Sequence, residues 1–293
     1  GLGDVAVANT AELWVRERDR AARLGGDALI LVGASRMQGG IDLEVMQSIT
    51  NKKPVQLAIT ASPVMPVLRD LANDPAITGT VVVSLEMSAL RIPDEESDAE
   101  RWIAAYQDFK AGRTAVFYQP VEDWMHDVID SVLLSFSRNA RPHQLILANT
   151  TRSYVRTLPD RSQQLDYSKI DREDAYQRRV DVLRGHTDPV FVVIPDIDER
   201  FAEIDRLVQR MQARGAEVIF VRFPSTKDIR KIEDIRFPRD FYWDRFAAQT
   251  SARTIHFADY QEFSTLDLPD GMHFDVSEQK AFTAALARLL VGD

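Results

Sequence analysis

Residues 28–41 read ALILVGASRMQGGI. The run from Ala28 to Gly33 is apolar or small throughout, the pattern of a central parallel strand buried on both faces. Gly33, Gly39 and Gly40 then bracket a turn with Ser35 at its apex. Open α/β sheets place their chemistry at the carboxyl ends of the strands. A hydroxyl displayed just past such a strand is the first candidate functional group.

Working outward, further strands are expected at 54–60 (PVQLAIT), 79–85 (GTVVVSL), 216–222 (AEVIFVR) and 253–257 (RTIHF). PVFVVI at 189–194 reads as one more short strand. Helical spacing of apolar residues marks 9–24, 42–50, 63–73, 198–214, 240–251 and 276–291. Asn9 or Thr10 suits the start of the first helix, Asp275 the start of the last, and Gly215 ends the fourth. Strand and helix alternate at both ends of the chain. The expected fold class is therefore α/β, a three-layer α/β/α sandwich on a parallel sheet, as one domain over 1–293.

Residues 86–187 break the alternation and read as a helical insertion, a candidate lid over a site. Helices are expected at 98–111, 120–138 and 173–184, with a polar, arginine-rich stretch at 149–172. The insertion's aromatics read as its own small core, and the arginines of 152–179 as a solvated face that could also meet an anionic polymer.

Composition narrows the function classes. The chain has 293 residues, 45% apolar and 28% charged, as an ordinary globular domain does. Its net charge of −9 argues against nucleic acid as the main partner. The absence of cysteine removes disulfides, thiolate metal sites and a cysteine nucleophile. No apolar run is long enough to span a membrane. The chain opens on Gly1, which leaves a preceding signal or anchor as an open alternative. Oligomeric state is not legible.

Near the C-terminus stands LDLPDGMHFD, residues 266–275. Asp270 and His273 are three apart, with Gly271 between them to let the chain turn. A serine hydroxyl is a weak nucleophile near neutral pH and needs an imidazole to take its proton. That imidazole benefits from a carboxylate that fixes its tautomer. One short turn can supply both to a serine on a distant strand. Asp-x-x-His by itself also fits a capped turn with a surface histidine. What raises the catalytic reading is its pairing with Ser35 at the other end of the same domain.

With these blocks the chain resembles the SGNH (GDSL-like) hydrolases. Gly33-Ala34-Ser35 with Gly39 is similar to that family's first block, and Asp270 with His273 to its last. Residues 236–290, which include FPRDFYWDRF, look most like divergent bacterial members, several of which act on acyl groups of cell-envelope polymers. The resemblance covers about 27–85 and 189–291. It implies a flavodoxin-like five-stranded sheet and a Ser35–His273–Asp270 triad. It also implies a serine-dependent ester hydrolase or O-acyltransferase acting on acylated carbohydrate or other small esters. It further implies no metal or organic cofactor and an extracytoplasmic setting. The oxyanion donors it implies are backbone N–H groups of Ser35 and of Ala61 or Ser62. The family's third-block asparagine is missing from VVVSLEMSAL, where Ser84, Ser88 or Arg36 could substitute. Of the asparagines, Asn149 is the one expected to be able to fold back over the site. The gap keeps a second reading open, a non-catalytic relative that binds carbohydrate or assembles envelope polymers.

Two other readings are weaker. His256, Asp259, Asp270, His273 and Asp275 could be taken as a metal set by residue type. VGASRMQGG invites a dinucleotide reading but lacks the glycine spacing and an acidic residue ending the second strand. His126 reads as a partly exposed helix residue.

Overall fold

The structure is a computed structural model that describes residues 6–95, 97–113, 154–185, 189–263 and 265–292. Its centre is a five-stranded sheet formed by β1 (Ala28–Val32), β2 (Lys53–Gln56), β3 (Thr80–Ser84), β6 (Glu217–Arg222) and β7 (Arg253–His256). All four pairings are parallel, and the order is β2-β1-β3-β6-β7. This is the flavodoxin-like doubly wound order, in which the chain reverses direction across the sheet at β1 and β3. The expected three-layer α/β/α architecture is thus present.

Side chains alternate across the sheet because the strand period is two. Ala28, Ile30 and Val32 join Val81, Val83, Val218 and Phe220 on one face. Helices α1 (Ala11–Leu24), α4 (Met65–Asn73), α5 (Asp98–Lys110), α7 (Ile197–Gln212) and α9 (Trp243–Gln249) cover it through Trp14, Leu68, Tyr106, Phe201 and Phe246. Leu29, Leu31, Val82, Ile219 and Val221 face the other way. There α3 (Leu43–Thr50) and α10 (Val276–Val291) close over them with Met46, Phe282 and Leu286. Thr10 and Asp275 cap α1 and α10 as their positions predict, each accepting a backbone N–H of the first turn.

Four segments differ from the sequence reading. Residues 35–40 form a short helix, α2, and not a plain turn. PVFVVI makes no strand. Val192 N–H bonds to Arg236 O, and the Tyr242 hydroxyl donates to Val192 O, so its backbone is satisfied off the sheet. A helix over Lys227–Arg236, α8, fills a stretch that reads as connection. Finally, the arginine-rich part of the insertion holds an antiparallel hairpin, β4 (Val155–Thr157) with β5 (Gln163–Leu165). Arg161 in its turn is 0% exposed. It donates to Gln56 O and Ala58 O at 2.6 and 3.0 Å, which removes it from the expected solvated face.

Helix α5 and α6 (Arg172–Arg184) lie near their expected positions in the insertion. The α5 aromatics do not form a separate core. Trp102 and Tyr106 ring against Trp14, with centroids 6.4 and 6.5 Å apart, so α5 belongs to the main core. The expected helix at 120–138, His126 and Asn149 lie outside the described residues. No helix among the described residues is long and apolar enough to cross a membrane.

Candidate active site

Ser35 opens α2 directly beyond β1. The approach is tight. A Cβ on Gly33 would sit 2.9 Å from the Met37 Cβ and 3.0 Å from that of Ser84. One on Gly39 would meet Leu165 at 2.6 Å. The missing side chains at these points let α2 fold back against β3 and the insertion hairpin. Ser35 itself remains half-buried, with its hydroxyl at the C-terminal edge of the sheet.

The partner turn comes from the other end of the chain. Asp270 Oδ1 accepts the backbone N–H of Met272 at 3.0 Å and of His273 at 2.8 Å. This closes the turn and leaves Oδ2 to meet His273 Nδ1 at 2.8 Å. On the opposite side of the ring, His273 Nε2 lies 2.9 Å from Ser35 Oγ. Asp270 and His273 are 2% and 7% exposed. Burial alone would favour a neutral carboxyl at Asp270. The hydrogen bond and charge of His273, the Met272 N–H and the Arg179 guanidinium together hold it well below the usual carboxylate range. An ionised carboxylate only accepts, so Nδ1 carries a ring proton, and in the neutral imidazole the Nε2 lone pair faces the serine.

Gly271 makes this turn feasible. Its φ is +83°, and an added Cβ would lie 2.4 Å from Ile229 Cγ1. Gly271→Ala is therefore expected to destabilise the fold by about 2 kcal/mol and to displace His273. Urea unfolding checks the first effect. A variant as stable as the parent would show that the turn has more room than this packing allows.

The expected oxyanion donors fare unequally. β2 continues its pairing through Leu57 N–H to Leu31 O and Ile59 N–H to Gly33 O, which sets the following turn beside the serine loop. Ser62 N–H is already bonded to Ile59 O at 3.2 Å, which removes it as a donor while the turn is closed. Ala61 has φ +58°, and its N–H has no acceptor among the described residues. The Thr60 hydroxyl holds this turn to α2 through Gln38 Oε1 at 2.9 Å. Ser84 is 3% exposed and ends β3 against Gly33. Arg36 is drawn into ion pairs with Glu86 and Glu233, while its buried Nη1 makes no hydrogen bond among the described residues.

That pairing belongs to a cluster the sequence hides. Arg222 also binds Glu86 and Glu233, so two guanidinium groups and two carboxylates interlock beside Ser35. Burial opposes ionisation of Glu233, but the charges of Arg36 and Arg222 hold its pKa down to about 2. The four residues are spread from position 36 to 233, so no local spacing marks them.

His256 lines a cleft next to this cluster, between the rings of Trp243 and Phe257. Its Nδ1 accepts the Ala258 N–H at 3.1 Å. Among the described residues no group of histidines and carboxylates could hold a metal, so the metal reading of this set is not supported. Asp259 is instead occupied by Arg239, and Asp275 by its helix cap and the Tyr167 N–H. Burial, with Arg239 and Arg222, pushes His256 down to about 3. The unfolded chain binds this proton near pH 6.5, so the group's stabilisation is complete above that pH and is lost as pH falls toward 3. In His256→Asn, unfolding stability is expected to drop less between pH 7 and pH 5 than in the parent. Equal drops in urea titrations would contradict this assignment.

The fold and this geometry define a class: a doubly wound α/β protein with a serine, an imidazole and a carboxylate aligned at the strand ends. A scan of the chain against models of protein families finds no match, and a search of curated proteins finds no relative.

Proposed function

We propose that the chain is a serine-dependent acyl-ester hydrolase or O-acyltransferase of SGNH type, acting on acylated carbohydrate or other small esters. The observation that carries this reading is the unbroken contact chain from Ser35 Oγ to His273 Nε2 at 2.9 Å and from Nδ1 to Asp270 at 2.8 Å. Ser35 Oγ attacks the ester carbonyl carbon while its proton passes to Nε2. The ester C–O bond then breaks, and the leaving alcohol takes that proton. An acyl-Ser35 remains. Water or a sugar hydroxyl attacks it, again losing a proton to Nε2, and Ser35 recovers its proton on release. Asp270 offsets the imidazolium charge during each transfer. The N–H groups of Ser35 and Ala61 are the donors available to the oxyanion.

A fluorophosphonate probe tests the reading. Labelling of the parent and none of Ser35→Ala supports it. A folded parent that resists the probe supports the second reading, a carbohydrate-binding or assembly protein that keeps the fold. The missing asparagine motivates that alternative. Asn9 contacts Arg161, Asn51 ends α3 and Asn73 binds Arg210, so none of these reaches the serine.

A further inference from the structure

The Asp270 oxygen that meets His273 is also gripped from the insertion. Arg179, on α6, places Nε and Nη2 each 3.3 Å from Oδ2. Its helix is seated on the same turn. Tyr176 and Val180 pack on Ile229 and Ile232 of α8 together with Met272, and an added Cβ at Gly271 would stand 3.4 Å from the Tyr176 ring. Tyr167, 1% exposed, lies on the same side. Burial and the charge of Asp270 push its hydroxyl up, so it stays a neutral donor beside the carboxylate. Of the other charges nearby, Lys227 on α8 stands over the Tyr176 ring, 4.9 Å from its centroid, and the rest have partners of their own. Asp228 faces Tyr176 and Lys231, Asp275 takes the Tyr167 N–H, and Arg172 pairs with Asp267.

We propose that Arg179 is a positioning residue through which the insertion aligns Asp270 on His273 and sets the basicity of that imidazole. The inference rests on the triad reading above. A guanidinium at the shared oxygen keeps Asp270 ionised and aimed at Nδ1. It also disfavours a second positive charge on the neighbouring ring. Removing it makes the imidazolium easier to form, so the base is lost at a higher pH. A role limited to packing, with the charge screened at a side chain 35% exposed, would leave that limb in place.

The experiment compares the parent, Arg179→Met and Arg179→Lys in the full chain. One readout is the pH profile of kcat/KM on p-nitrophenyl acetate. The other is the NMR titration of the His273 imidazole, identified by its loss in His273→Gln. In Arg179→Met both the acid limb and the titration midpoint are expected to rise by about half a pH unit, and lysine to restore most of the shift. A His273 midpoint unchanged in Arg179→Met overturns the proposal. If Ser35→Ala hydrolyses the ester as fast as the parent, the triad reading fails instead, and the NMR titration still judges the coupling.

Discussion

Ser35→Ala is expected to lower kcat/KM on a small activated ester by about 10⁴- to 10⁶-fold while leaving the unfolding midpoint close to that of the parent. The size follows from the role proposed for Ser35. Without Oγ no acyl-enzyme forms, and His273 has nothing to deprotonate except water. The stability follows from the site. Ser35 is half-buried, and among the described residues its hydroxyl has His273 as its one partner. Because the residues act as one unit, Ser35→Ala combined with His273→Ala should be little worse than either alone. Additive losses would mean that the two side chains work separately, and the contact between them would then have another explanation. A loss below tenfold in Ser35→Ala would remove it as nucleophile.

Glu233→Ala is expected to destabilise the protein by about 3–5 kcal/mol, a large part of the stability of a typical domain. The substitution strips one carboxylate from two guanidinium groups, leaving Arg36 and Arg222 to share Glu86 alone. Arg36 is 6% exposed, so its guanidinium loses a largely buried partner. The exposed pair of Arg178 with Asp174 sets the contrast, since Arg178→Ala should change stability by less than about 1 kcal/mol. The linkage has a definite sign. The charges of Arg36 and Arg222 hold the folded Glu233 carboxyl down from 4.5 to about 2, so its stabilisation is present above pH 4.5 and is lost as pH falls toward 2. Acid unfolding of Glu233→Ala should accordingly be less steep in that window. Urea titrations at neutral pH decide the main claim, and a loss under 1 kcal/mol would show that the cluster is solvated in solution. Because Arg36 follows the serine directly, a loosened cluster should also lower turnover in the surviving folded fraction.

The sheet was legible because each strand carries its own signal. ALILV, TVVVS and EVIFVR are apolar runs of strand length, and burial on both faces needs no information from elsewhere. PVFVVI carried the same signal and misled. Val190 and Val193 are 66% and 70% exposed, because what decides a strand is a free ladder edge and not the run itself. The hairpin at 155–165 was missed for the converse reason. Its strands are three residues each, too short for alternation to register, and it is held by Arg161 reaching the carbonyls of Gln56 and Ala58.

By itself the sequence determined the order of the core elements, the serine past β1 and the Asp-x-x-His turn before the last helix. All of these are local patterns, set by period, glycine placement and capping. Only the tertiary structure decided that Ser35 and His273 meet at 2.9 Å, that Ser62 has already spent its N–H on Ile59, and that Arg36 is neutralised by Glu86 and Glu233. The same holds for Arg179, which reads as a surface charge until α6 packs against Gly271 and brings it to Asp270. The physical reason is common to these cases. A side chain's donor, charge or lone pair is defined by what occupies it, and here the occupants come from segments far away in the chain.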